Sequence, residues 1–273
     1  MPDPTSAPSP AGGLEGELER QSGIQWERGK FFAAYEDMMG DYIVRSVLDH
    51  ARKPSLLDFA CGNGAITAML APHFERVVGV DASAPHVATA ASAHPGIEFV
   101  QALAEDYRAA EPFSTITLLN LLEHVVDPVD LLARVSGNLA RDGVLIVNVP
   151  NALAANRRIA RMMGSLADEY ELSPFDLEIA GHRRYYDTAK LVADLESAGL
   201  RVRETGGIFY KMLSQAQIDW LLLQPHWDRG EFGWGRVGAE DAKDWRKAFC
   251  DACYEYGKQR PAECNLIYAV AGR

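Results

Sequence analysis

Between residues 30 and 51 the apolar positions recur at helical spacing: Phe31, Tyr35, Met38 and Tyr42, with Phe32, Met39 and Ile43 beside them. Such a stripe predicts an amphipathic helix that must pack on another element. The pattern then changes. Residues 55–59 form a short apolar run, Cys61-Gly62-Asn63-Gly64 follows, and helical spacing resumes through Ile66, Met69 and Leu70. Strand-like runs return at 76–80, 97–101, 114–119 and 144–149. Helical segments lie between them. One is the Ala-rich 82–93; another opens at Asp127-Pro128 and reads through Leu139, with proline well placed in the first turn. Asp142-Gly143 reads as a turn. The strands are apolar throughout rather than alternating, as buried parallel strands are. Their alternation with helices predicts an open α/β sheet covered on both faces.

The rhythm breaks at 151–185, which reads as an insertion. It resumes with a helix at 188–198 stopped by Gly199, a sixth strand at 200–205 followed by Gly206-Gly207, and a last strand at 265–270. A second insertion, 210–263, separates those strands; it holds helices at 214–223 and 240–256 and the residues Trp220, Trp227, Trp234 and Trp245. Two roles suit so aromatic a segment, a lid that excludes water or a homodimer interface. Gly230, Gly233, Gly235 and Gly238 would permit opening and favour the lid. The expected organisation is a Pro/Ser/Ala/Gly-rich tail at 1–13, an N-terminal helical cap at 14–54, and one α/β domain at 55–273 carrying both insertions over its site.

Composition mainly excludes. The 273 residues, 48% hydrophobic and 24% charged, suit one decorated globular domain. No run approaches the ~20 apolar residues that span a bilayer, and the first residues lack the basic start and apolar centre of a signal peptide. A net charge of −11 argues against nucleic acid as a partner. Residues 151–190 nevertheless hold six basic and six acidic residues, so an anionic small molecule survives that argument. Cys250 and Cys253 form a C-x-x-C, but it runs through the helical pattern of Trp245, Ala248, Phe249, Ala252 and Tyr256 and has no second ligand pair. No metal is expected. Unpaired thiols without a signal sequence suit the cytoplasm.

The loop Asp58-Phe59-Ala60-Cys61-Gly62-Asn63-Gly64 joins a strand to a helix, where glycines let the backbone turn sharply and approach a ligand. Asp81 ends the next strand, and a carboxylate there can accept both hydroxyls of a ribose. The pair points to an adenosine-containing ligand. A dinucleotide fingerprint fails because Thr67 stands where its third glycine belongs, and no G-K-[ST] is present. Without a ligand, the glycines would merely turn the chain and Asp81 would cap the following helix.

On Leu56 to Gly64, Val77 to Asp81, and Leu121-Leu122-Glu123-His124-Val125, the chain resembles the class I S-adenosylmethionine-dependent methyltransferases, and within them the branch that includes the ubiquinone-biosynthesis O-methyltransferases. The resemblance spans about 55–200 and the final strand. It implies a Rossmann-like, seven-stranded, doubly wound sheet, S-adenosylmethionine as cofactor and a small-molecule methyl acceptor. It also implies roles. Gly62 and Gly64 would meet the methionine part, with Ala60 in place of the family's first glycine and Asp58 shaping the loop. Asp81 would hold the ribose, and Ala82 would lie along the adenine. Ala104 and Glu105 would border the adenine, with Leu103 where an acid often stands. Leu119 and Asn120 would flank the methionine ammonium.

Methyl transfer from a sulfonium is an in-line displacement. Alignment is worth ~7–11 kcal/mol, whereas a general base adds only ~10²–10⁴-fold. A base matters chiefly for a hydroxyl acceptor. Glu123 and His124, after the fourth strand, are candidates, against a reading in which they cap a helix or bond the cofactor. His182, in Gly181-His182-Arg183-Arg184-Tyr185, is the third candidate; it sits in a stretch similar to one in related methyltransferases and either contacts substrate or pins the insertion. Arg157, Arg158 and Arg161 share a helical segment, and Arg183, Arg184 and Lys211 lie near strand ends. Guanidinium forks suit carboxylate or phosphate, which makes Arg157, Arg183, Tyr185 and Lys211 candidate acceptor contacts. The simpler reading pairs the arginines with Asp168, Glu169, Glu171, Asp176 and Glu178 on a solvated face. The expectation is O-methylation of a small molecule, with N-methylation of a small molecule or peptide, or a non-catalytic S-adenosylmethionine-binding subunit, as alternatives.

Overall fold

The structure is a computed structural model that describes residues 32–225, 227 and 244–273. The tail expected at 1–13, Trp234, and the glycines Gly230, Gly233, Gly235 and Gly238 lie outside the described residues.

Strands β1 (Ser55–Phe59), β2 (Arg76–Asp81), β3 (Glu98–Gln101), β4 (Phe113–Leu119), β5 (Leu139–Pro150), β6 (Arg201–Ile208) and β7 (Leu266–Gly272) form one sheet in the order β3-β2-β1-β4-β5-β7-β6. β7 runs antiparallel to both neighbours, and the other pairs are parallel. The winding reverses between β1 and β4, which pair directly. That reversal opens a crevice outside the carboxyl ends of the two strands.

Helices α1 (Ala33–His50), α2 (Ala65–Leu70), α3 (Ala84–Ala93), α4 (Pro128–Ser136), α5 (Ala155–Met162), α6 (Thr188–Ser197), α7 (Gln215–Leu222) and α8 (Trp245–Lys258) surround the sheet. Alternate residues of one strand feed opposite cores, as a period of two requires. In β1, Leu57 and Phe59 join Leu131 and Val135 of α4 and Leu191 and Leu195 of α6. Leu56 joins Tyr35, Met39 and Ile43 of α1, Ile218 of α7 and Tyr254 of α8. The second insertion thus shares a layer with α1. Tyr35 donates its amide to Asp219 over 2.9 Å, and the Tyr42 hydroxyl donates to Asp251 over 3.0 Å while its ring stacks on Tyr254 at 4.8 Å. Among the described residues no helix is long and apolar enough to cross a membrane.

Local expectations shift in two places. The helix opened by Asp127 ends at Ser136, not Leu139. Asn138 is the reason: its side chain accepts from the Ala109 amide at 2.8 Å while its carbonyl accepts from Phe113 at 2.8 Å, which draws the chain into the sheet. Asp142-Gly143 then lies inside β5, where the pairing with β4 shifts register, and is not a free turn. Gly206-Gly207 does not follow β6 but lies inside it, since the strand runs to Ile208. A side chain at Gly206 would overlap the Tyr268 ring, and one at Gly207 would overlap the Pro261 carbonyl. Close packing requires those glycines.

Candidate active site

The loop after β1 is built from left-handed backbone: Ala60 has φ 56°, Gly62 φ 57° and Gly64 φ 78°. Glycine adopts this region freely, whereas alanine does so at about 1–2 kcal/mol; strain of this kind gathers at functional sites. The Gly62 amide donates to Asp81 Oδ2 over 2.9 Å, and Asp81 Oδ1 accepts from the Ser83 amide at 2.8 Å. Ser83 itself caps α3. Asp81 therefore ties the loop after β1 to the start of α3. Below the loop, buried Asp58 accepts from the hydroxyls of Thr67 at 2.6 Å and Thr117 at 2.8 Å. The two glycines differ. A side chain at Gly62 would meet open space, whereas a Cβ at Gly64 would lie 2.8 Å from the Phe99 ring and 3.0 Å from Ala90.

A cleft of about 700 Å³ opens at the carboxyl ends of β1 and β4. Asp58, Ala60, Gly62, Asp81, Leu119 and Asn120 line it. Gly64, Ala82, Ala104 and Glu105 do not; Asn63, Ser83 and His86 line it as well. Asn120 also has a left-handed φ, 53°, and its amide donates to the side chain and carbonyl of Asn148 at 3.0 and 3.1 Å. Asn120 Oδ1 is buried without a hydrogen-bond partner, an acceptor suited to an ammonium. Phe32, just before α1, and Phe175, 6.1 Å apart between ring centres, also line the cleft.

Glu123, His124 and His182 line the same cleft. The segment after β4 is stapled to the first insertion. Arg183 donates its amide to Glu123 O at 2.8 Å and its Nε to His124 O at 2.9 Å. Arg184 donates to the carbonyls of Val125 and Val126 at 2.7 and 3.0 Å. The His124 and His182 rings meet edge-on at 4.9 Å. His124 Nε2 lies 3.7 Å from Glu123 Oε1, and its Nδ1 lies 3.3 Å from Gly181 O. Glu123 is 1% exposed and neither of its oxygens has a hydrogen-bond partner. Burial pushes its carboxyl up to about 7, against the opposing pull of His182.

His182 Nδ1 faces Asp176 Oδ1 at 3.4 Å. Asp176 stands in a single π-helical turn, Phe175–Ala180, a form that recurs at functional sites. It accepts from the Ser173 amide and hydroxyl at 2.8 and 2.7 Å and from the Tyr185 hydroxyl at 3.0 Å. Burial alone would raise its carboxyl, but the His182 ring and Ser173 outweigh it and hold the group down to about 2. The nitrogen and oxygen donors of Glu123, His124 and His182 all lie within 4.8 Å of one another, a three-donor set that the sequence reading, expecting no metal, did not anticipate.

The cationic residues divide. Arg157 lines the cleft, but its guanidinium donates to the carbonyls of Glu169 and Glu171 at 2.9 and 2.6 Å and stacks 3.7 Å over Tyr185. Arg161 pairs with Glu169 at 2.7 Å. Arg183 is absent from the cleft lining and, with Arg184, grips backbone. Lys211 is different. It is 3% exposed, lines the cleft, has its Nζ 4.4 Å over the Tyr35 ring, and has no hydrogen bond or ion pair among the described residues. Burial pushes it down to about 7, with Glu36 opposing.

Ser83, His86 and Phe175 were not singled out from the sequence, and Asp176 was named only as an ion partner of the arginines, where Arg157 does lie 4.0 Å from it. Ser83 carried a readable signal, a serine just before Ala84-Pro85 at a helix start. Asp176 carried none, because nothing local distinguishes it from the acids around it.

An open sheet whose strand order reverses beside a glycine loop and a strand-ending acid defines a nucleotide-type cofactor-binding α/β protein. Residues 32–205, more than half of the chain, match the family described as a methyltransferase domain. The chain is 28% identical over 166 residues to a ubiquinone biosynthesis O-methyltransferase of Pseudoalteromonas translucida, covering 58% of this chain and 68% of that protein. It is 31% identical over 180 residues to a ubiquinone biosynthesis O-methyltransferase of Xylella fastidiosa, covering 63% and 70%. Among solved structures, the DhpI–SAM–HEP complex matches with a TM-score of 0.57 at 16% identity, covering 97% of this chain and 100% of that one. The chain belongs to the class I S-adenosylmethionine-dependent methyltransferases. Its cofactor supplies a methyl group already activated on a sulfonium.

Proposed function

We propose that this enzyme methylates a hydroxyl oxygen of a small, anionic acceptor. The observation that carries the reading is the convergence of three groups on one cleft: the Gly62–Asp81 unit, the cluster of Glu123, His124 and His182, and Lys211. Asp81 takes the ribose hydroxyls and Asn120 Oδ1 the methionine ammonium. The acceptor hydroxyl faces the Glu123–His124–His182 cluster, where its proton is removed as oxygen bonds the methyl carbon and the sulfonium becomes a thioether. Lys211, charged by a neighbouring anion, holds a carboxylate or phosphonate of the acceptor. Arg157, Arg183 and Tyr185 act as braces for these groups. The names of the relatives support oxygen as the acceptor atom. Four unpaired cysteines suit a reducing compartment.

The test is calorimetry with S-adenosylhomocysteine, followed by incubation with S-adenosylmethionine and a panel of hydroxy acids. Heat of binding and a product heavier by one CH₂ at oxygen are expected. A product methylated only at nitrogen would replace this reading with an amine acceptor held by Glu123, and no heat would remove it altogether.

A further inference from the structure

A second cavity, of about 720 Å³, lies at the opposite edge of the sheet from the cleft, at the amino ends of β4, β5 and β6. Arg141, Arg201, Arg203 and Arg273 line it, and Asp142 is the one acid among its described lining residues. Carboxylates are not scarce in this chain, which holds 38 acidic against 27 basic residues. Arg45, Arg76, Arg134, Arg161 and Arg260 each stand within 3.6 Å of one. The side chains of Arg141, Arg201 and Arg203 have neither ion pair nor hydrogen bond among the described residues, and Arg273 donates one nitrogen to the Ser136 carbonyl. Like charges gathered without counter-charges repel one another, and a bound anion offsets that repulsion.

Two irregularities of the sheet help to gather these arginines. The β4–β5 pairing steps from Phe113–Leu139 to Thr115–Val144, so the stretch from Ala140 to Gly143 bulges out and carries Arg141 to the cavity. The β6–β7 pairing steps from Val202–Ala271 to Glu204–Val270, which leaves Arg203 as an extra, unpaired residue. Bulges re-aim side chains and recur next to functional sites. A side chain at Gly272 would overlap the Arg203 guanidinium, so glycine there leaves room for the fork.

We propose that this cavity binds a compact oligophosphate, a small anion with two or more linked phosphoryl groups. Guanidinium forks match phosphate oxygens in pairs. A phosphoryl group offers three acceptor oxygens, where a carboxylate offers two. The volume falls within the ~300–1,000 Å³ of small-molecule sites and leaves room for more than one phosphoryl group. No aromatic ring lines it among the described residues, so nothing there stacks on a base. The overall charge of −11 repels a long polyanion. The site stands apart from methyl transfer, because none of its lining residues lines the cleft.

The test is calorimetry of the full chain with tripolyphosphate at about 0.15 M salt, where the diffuse field of distant charges is screened. One equivalent per chain is expected, with the same affinity when S-adenosylhomocysteine is saturating. Arg203→Gln and, separately, Arg141→Gln are expected to weaken binding ~10–100-fold, the loss that goes with a charge-assisted hydrogen bond. Arg161→Gln changes the net charge equally but lies in the first insertion, and it should leave the affinity unchanged. Wild-type circular dichroism in all three variants shows that they fold. Absence of stoichiometric binding overturns the proposal, and so does equal weakening by Arg161→Gln. Competition with S-adenosylhomocysteine would put the anion in the cleft and overturn the second site. Tighter binding of citrate, of adenosine triphosphate or of single-stranded DNA would overturn the oligophosphate and assign the cavity to a carboxylate, a nucleotide or a nucleic acid instead.

Discussion

The amide of Gly62 donates to Asp81 Oδ2 over 2.9 Å, so the loop after β1 and the acid that ends β2 form one unit. The same carboxylate accepts from Ser83. Asp81→Ala removes the proposed ribose acceptor and also strands two backbone donors. Each charge-assisted bond is worth ~1.5–3 kcal/mol, so affinity for S-adenosylhomocysteine is expected to fall ~10–100-fold by calorimetry. Asp81→Asn should fall less, because it keeps one acceptor. Unchanged affinity in Asp81→Ala would move the ribose elsewhere.

Gly62 and Gly64 share a left-handed φ but not a neighbourhood. Gly62→Ala meets open space and should cost only the backbone penalty of about 1–2 kcal/mol. Gly64→Ala adds overlap with the Phe99 ring and Ala90, and overpacking costs ~1–3 kcal/mol more. Urea denaturation should rank Gly64→Ala as the less stable variant. The reverse order would mean that Phe99 moves aside freely.

Legibility in the sequence follows the range of the interactions. The loop, the strand-ending Asp81 and the order of strands depend on local spacing and on glycine, so they could be read directly. The end of α4 could not, because Asn138 stops that helix through Ala109 and Phe113, partners outside it. Lys211 was legible as a cation but not as a buried one, since α1 supplies the Tyr35 ring beneath it. Arg183 looked like a substrate contact because its fork suits anions; the fold spends that fork on the His124 carbonyl. Asp176 reaches His182 only through the π-helical turn, which no periodicity announces.

Lys211 gives a pH signature. Its folded value near 7 lies below the ordinary 10.5 because burial disfavours the ammonium. Between those values the unfolded chain binds more protons, so stability rises with pH across the window. Below about 7 both states are protonated and the destabilisation is complete. Lys211→Met removes the dependence. The urea midpoint of wild type relative to Lys211→Met should be lowest near neutral pH and climb toward pH ~10. A difference that stays flat would show that Lys211 is solvated. The variant should also raise KM for an acidic acceptor more than it lowers kcat.

Glu123 is expected to show the opposite signs for stability and activity. A carboxylate that is 1% exposed, with both oxygens unbonded, destabilises the empty protein. Glu123→Gln keeps the shape and removes the charge, so the chain without ligand should be more stable to urea, by about 1 kcal/mol or more. Methyl transfer should fall by ~10²–10⁴-fold in kcat, with S-adenosylhomocysteine affinity nearly unchanged, because Asp81 and Asn120 stay in place. A residue kept only for structure would instead lose stability on this substitution and keep kcat. Denaturation and single-turnover kinetics on the same variant therefore separate the two explanations of why a buried acid without a hydrogen bond stands after β4.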